Sequence, residues 1–135
     1  MQSISVGISK ASAAGRDVYI AEGTYTEYGM LQLVAGVSLY GGYDSTTWAR
    51  SNTNTTHVNV NATYAMWAHN ISGANPTYVD RLSMKGNMPT STGQSSYGLL
   101  ATYSENLVMN RLTLEASAGG NGSNGSSGVN TATGV

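Results

Sequence analysis

The chain has 135 residues with six basic and seven acidic side chains, and only 10% of its residues are charged. So little charge makes no field that would gather nucleic acid or an anionic membrane surface, and neither is an expected partner. Cysteine is absent, which excludes a disulfide framework, a thiolate zinc site and a cysteine nucleophile.

Seventeen glycines, with many Ser, Thr and Asn, fill the places that Lys and Glu usually take, and nine tyrosines stand without a single phenylalanine. Such residues suit turns and exposed strand faces better than the outer faces of helices, so the composition predicts an all-β chain. Gln2 to Gly15 has no basic region followed by an apolar run, and no stretch reaches transmembrane length, so membrane insertion is not expected. If the natural protein is secreted, Met1 marks a start trimmed from a longer chain.

Ser3 to Ala14 places Ile4, Ile8 and Ala11 at helical spacing, and Gly15 stands where a helix stops, which predicts a short amphipathic helix. Val18 and Ile20 then alternate with Tyr19 in a strand closed by the turn residues Glu22-Gly23-Thr24. Three further stretches repeat the alternation: Met30 to Leu33, Gly36 to Tyr43, and His57 to Asn61. Each is too short for an amphipathic helix and fits a half-buried strand.

An internal repeat follows. Val79-Asp80-Arg81-Leu82-Ser83-Met84 and Met109-Asn110-Arg111-Leu112-Thr113-Leu114 agree position by position in chemical type, at an offset of 30 residues. If Val18/Ile20, Val37/Leu39, Val58/Val60, Leu82/Met84 and Leu112/Leu114 are equivalent inward pairs, successive pairs lie 19, 21, 24 and 30 residues apart. Spacings of that size let strands stack in parallel as coils, each burying its apolar face on its neighbours. Tight Asn-Gly or Asp-Gly hairpin turns are missing between these strands and occur only near the end, at Asn121-Gly122 and Asn124-Gly125. Tyr64 to Ala68 and Tyr97 to Thr102 fall at similar places within their coils, as second strands. Residues 119–135 form a Gly/Ser/Asn-rich segment with no apolar face, expected as a loop or flexible tail.

Three features together resemble the pectin-lyase-like right-handed parallel β-helix found in secreted and cell-surface bacterial proteins. They are the run Val18 to Glu27 after an apolar-periodic segment, the run Gly36 to Tyr43 with a long excursion through Trp48 and Arg50, and the Arg-Leu-Ser/Thr-apolar strand at 81–84 and 111–114. The resemblance spans residues 3 to 116. It implies a right-handed parallel β-helix of about five coils over residues 1–118, with a short N-terminal capping helix and an extracellular habitat. It is unspecific for activity, because the family includes polysaccharide lyases, hydrolases and adhesins.

The residues themselves supply no catalytic constellation. Of the seven carboxylates, only Asp80 lies on a repeated coil near basic residues, Arg81 and Lys85. Asp80 and Asn110 hold the same place in two coils and read as turn residues bonding neighbouring backbone, with Arg81 and Arg111 stacked on the outer face against Asp80, Glu105 or Glu115. His57 and His69 lack a third ligand at metal spacing, no Gly-x-Ser-x-Gly elbow occurs, and no cofactor motif is present. Aromatic rings are the remaining candidates: Tyr40, Tyr43 and Trp48 around Gly41-Gly42, and Tyr97 and Tyr103 around the later strand. They suit a sugar ring or a protein partner, or else pack under loops in place of phenylalanine.

The expected role is therefore a non-catalytic structural or adhesive module that binds glycan or protein. The alternative is the leading part of a polysaccharide lyase or glycoside hydrolase whose active site lies in coils beyond Val135. Without a capping helix after the last coil, its open edge predicts end-to-end self-association.

Overall fold

Residues 3–128 are described by a computed structural model. Helix α1 (Ile4–Ala14) starts at the N-cap Ser3 and ends at Gly15, whose φ of 61° places it in the left-handed region. Glycine takes that conformation without a Cβ penalty, and the backbone amides of Gly15 and Arg16 close the last turn on Ser12 and Ala11. Ile4, Ile8 and Ala11 are buried on one face, as their spacing predicts.

Eleven strands follow: β1 (Val18–Ala21), β2 (Gly23–Glu27), β3 (Leu31–Gln32), β4 (Leu39–Tyr43), β5 (Thr56–Val60), β6 (Tyr64–His69), β7 (Thr77–Asp80), β8 (Ser83–Gly86), β9 (Tyr97–Thr102), β10 (Leu107–Asn110) and β11 (Thr113–Glu115). They form three sheets. The first runs β1-β4-β7-β10, the second β2-β5-β8-β11 and the third β3-β6-β9. Each sheet takes every third strand, and every strand pairing is parallel. Parallel neighbours need crossover connections, which accounts for the absence of hairpin turns between them.

The 30-residue repeat is a structural register. Val79 lies beside Met109 and Asp80 beside Asn110 in the first sheet, while Ser83 lies beside Thr113 and Met84 beside Leu114 in the second. The five inward pairs do not form one column, however. Val18 aligns with Leu39 in the first sheet, whereas Val58, Met84 and Leu114 align in the second, so no sheet has more than four layers. The cause is the brevity of the joint: only Glu22 separates β1 from β2, and alternation alone does not say on which side of that joint a pair lies. Likewise Tyr64–His69 and Tyr97–Thr102 do pair, as β6 and β9, but they build the third sheet.

The bends are made by residues with left-handed backbones at matching places. Arg81 (φ 58°) and Arg111 (φ 47°) join the first sheet to the second, and Asn70 (φ 55°) and Tyr103 (φ 51°) follow the third-sheet strands β6 and β9. Non-glycine residues adopt this region uncommonly, at a local cost that the surrounding pairing must offset.

Leu31, Leu39, Val58, Met66, Ile71, Val79, Leu82 and Met84 are essentially inaccessible to solvent and fill the space between the sheets. Full burial of side chains this size contributes roughly 1.5–3 kcal/mol each before the entropy of ordering is set against it. Buried hydroxyls are satisfied: Thr56 Oγ1 accepts the Gly42 amide and donates to the Ala21 carbonyl, which ties β5 to the adjoining β4 and to β1 one layer earlier. Past β11 the backbone returns to the 87–94 loop, where the Gly93 amide bonds Asn121 O and the Gly120 amide bonds Gln94 O. The rest of the expected tail, 129–135, lies outside the described residues.

Candidate binding surface

Alternation in β1 and β4 turns Tyr19 and Tyr40 outward, and the parallel register sets them side by side. Their rings stack with centroids 5.7 Å apart, and Tyr43 meets Tyr19 edge-on at 5.5 Å. Trp48 approaches Tyr43 at 6.1 Å from the excursion between β4 and β5.

That excursion is held at both ends. Tyr43 forms an antiparallel bridge with Arg50, and the Asp44 amide bonds the Ala49 carbonyl. At the tip, Asp44 Oδ1 accepts the amides of Thr47 and Thr46 and the Thr47 hydroxyl, and these bonds hold the Asp44 carboxyl below its ordinary pKa. Tyr19 and Trp48 each leave about half of their surface to solvent, 54% and 55%. Tyr19 and Trp48 thus lie at the surface, whereas Tyr40 and Tyr43 are only partly exposed.

Arg50 joins the rings to the ion pairs. Its guanidinium sits over Tyr40 at 5.4 Å and Tyr43 at 5.3 Å, its Nε donates to Gly41 O, and its Nη2 lies 3.0 Å from Asp80 Oδ2. Arg111 reaches the same carboxylate with two bonds, Nε to Oδ1 at 3.1 Å and Nη2 to Oδ2 at 2.9 Å.

Asp80 is therefore not a turn residue bonding backbone, as its place beside Arg81 suggests. It is a buried acceptor between two guanidiniums, only 5% exposed, with both oxygens engaged. Asn110, beside it in register, is exposed and does not share the role. Arg81 and Arg111 also part company: Arg81 Nη2 donates to Asn52 Oδ1 instead of to a carboxylate. Glu115 pairs with Lys85 at 3.2 Å, and both side chains are more than half exposed.

Tyr97 and Tyr103 do not form one cluster. Tyr97, at the start of β9, packs against Tyr64 at 5.3 Å, whereas Tyr103, just past its end, meets His69 edge-on at 5.9 Å. His69 in turn stacks on Trp67 at 5.5 Å and shares a 2.7 Å hydrogen bond with Thr102. The third sheet thus carries its own aromatic row, while Tyr40, Tyr43 and Trp48 gather on the first sheet with Tyr19. Sequence reasoning passed over Tyr19, although its place in Val18-Tyr19-Ile20 matches Tyr40 after Leu39.

Among the described residues no three His, Asp or Glu side chains gather as metal ligands. Among them, too, no helix is long and apolar enough to cross a membrane. No protein-family model, curated protein or solved structure matches the chain.

Proposed function

We propose that the chain is a coil-repeat module of the right-handed parallel β-helix kind, similar to pectin-lyase-like proteins, that serves a secreted or surface protein as a non-catalytic adhesive element. The supporting features are three parallel sheets that each take every third strand, a 30-residue repeat in register, and left-handed residues stacked at the bends. The ligand is a neutral face of a glycan, received on the Tyr19, Tyr40, Tyr43 and Trp48 surface.

The observation that carries the binding role is the half-exposed Tyr19 ring stacked on the partly exposed Tyr40, which Arg50 also contacts. Parallel flat rings held by β-pairing are ordered before a ligand arrives, so little side-chain entropy is lost on binding. The test is affinity electrophoresis in gels containing neutral or acidic polysaccharides, with and without calcium. Retardation in a neutral gel that is lost on Tyr19→Ala or Trp48→Ala supports the reading. Free migration in every gel, or cleavage of a polysaccharide by the chain, overturns it.

A further inference from the structure

The two arginines at the bend between the first and second sheets follow one rule with different outcomes. Each follows a residue that aligns with a residue one layer earlier: Arg111 follows Asn110, which lies beside Asp80, and Arg81 follows Asp80, which lies beside Tyr40. Arg111 reaches back one layer and closes its Nε–Nη2 fork on the Asp80 carboxylate. Arg81 reaches back over Gly42 and meets no carboxylate, because that layer has Tyr40 where the next has Asp80.

Its fork is half filled. Nη2 bonds the neutral amide oxygen of Asn52, while Nε and Nη1 are shielded from solvent without a hydrogen-bond partner. A desolvated guanidinium with one neutral acceptor is costly, and a two-oxygen anion would relieve that cost. Beside it opens a groove of about 390 Å³ lined by Asn54, Thr55, Ser83, Arg111 and Thr113 as well as Arg81. Arg50 and Arg111 share the single carboxylate of Asp80, and with Arg81 on the groove wall three guanidiniums and one carboxylate sum to a net charge of +2. That is a concentrated positive field in a chain whose overall charge is −1.

We propose that the Arg81 fork is a binding site for an oxoanion, a carboxylate or sulfate group that displaces the Asn52 amide and takes Nε and Nη2 together. The bound group repeats, from outside the chain, the contact that Asp80 gives Arg111. The groove hydroxyls and amides then bond the remainder of whatever molecule bears the group. This site does not depend on the aromatic surface, and either can fail without the other.

The experiment is a titration of the 135-residue chain with sodium sulfate or sodium acetate at ionic strength held constant with chloride, followed by the Arg Nε–Hε signals in 1H–15N spectra. Glucose 6-sulfate against glucose then separates a free ion from a sugar substituent. The Arg81 signal should shift saturably, with that of Arg16 as an unmoved reference. Arg81→Gln should weaken binding about tenfold or more. Asn52→Asp is the decisive second variant, because it supplies the missing carboxylate from within the chain. It should raise the melting temperature and abolish the response to added anion. A silent Arg81 signal in the parent chain overturns the proposal, and so does an Asn52→Asp variant that binds sulfate as the parent does.

Discussion

Glu27, the last residue of β2, caps the first turn of α1 by accepting the Ile4 backbone amide on Oε1 at 2.5 Å. Its other oxygen accepts the hydroxyls of Ser3 and Ser5 at 2.8 and 2.7 Å, so a carboxylate 3% exposed satisfies donors that the helix start leaves open. Burial alone would raise its pKa, but the bonds from Ser5, Ser3 and Ile4 outweigh it and hold the carboxyl below its ordinary value of 4.5. A depressed folded-state pKa contributes stability that is complete above 4.5 and lost as pH falls through the folded-state value. Glu27→Gln keeps the shape but turns an acceptor into a donor, and should cost about 1–3 kcal/mol at neutral pH. Thermal denaturation across the acid range should show the parent losing its advantage over the variant as pH falls. A constant difference down to the lowest pH would count against this cap.

Asp80 should be the most sensitive carboxylate on the outer face of the first sheet. Removing it leaves Arg50 and Arg111 facing each other, and Arg50 is largely covered, with 24% of its side chain exposed. Asp80→Ala should destabilise by about 3 kcal/mol in urea denaturation, a figure set at the low end for a buried pair because Arg111 is half exposed. Lys85→Ala breaks a pair whose side chains are both more than half exposed and should change stability by about 1 kcal/mol or less. Equal effects of the two substitutions would show that burial of Asp80 has no energetic consequence.

Gly41 marks where two layers touch most closely. A Cβ built there would lie 2.2 Å from the Arg81 carbonyl oxygen and 2.7 Å from Leu82 Cδ2, and backbone cannot yield as a flexible side chain does. Gly41→Ala should therefore cost about 3 kcal/mol or more by forcing β4 away from the Arg81-Leu82 bend that follows β7. Gly29→Ala, whose Cβ meets nothing within 4 Å, should stay within about 0.5 kcal/mol of the parent. Similar denaturation midpoints for the two variants would refute the close approach.

What the sequence reveals here depends on how far apart the cooperating residues lie. Helix α1 and the match of 79–84 to 109–114 were legible because spacing and identity within a short window carry them. The assignment of strands to sheets was not, since Val18/Ile20 and Val58/Val60 alternate identically and differ only in which side of a one-residue joint they occupy. Asp80 was legible only in part for a related reason: its pairing with Arg111 was among those expected, but its burial against a second arginine was not. Its partner Arg50 is 30 residues earlier and arrives only because the 44–55 excursion folds back across β4. Left-handed arginines at the bends were equally hidden, because glycine or asparagine is the residue type expected at such a φ.

The two ends of the stack differ, and the difference predicts self-association. At one end α1 packs across β1, β2 and β3. At the other, β9, β10 and β11 are edge strands, and among the described residues no further strand pairs with them. Met109 shows the consequence: it sits beside Val79, which is fully buried, yet 45% of its own surface is exposed. Leu99, Leu107, Leu112 and Leu114 are likewise only partly covered there. Unpaired strand edges with an apolar cross-section invite a second copy of the chain. Light scattering of the 135-residue chain should give a mass that rises with concentration. Met109→Lys places a charge in the middle of that open edge, where solvation costs the monomer little, and should shift the equilibrium toward monomer at the same concentration. If the parent keeps a monomeric mass throughout, the edge is covered by some other part of the chain, and the idea of edge-to-edge pairing must be given up.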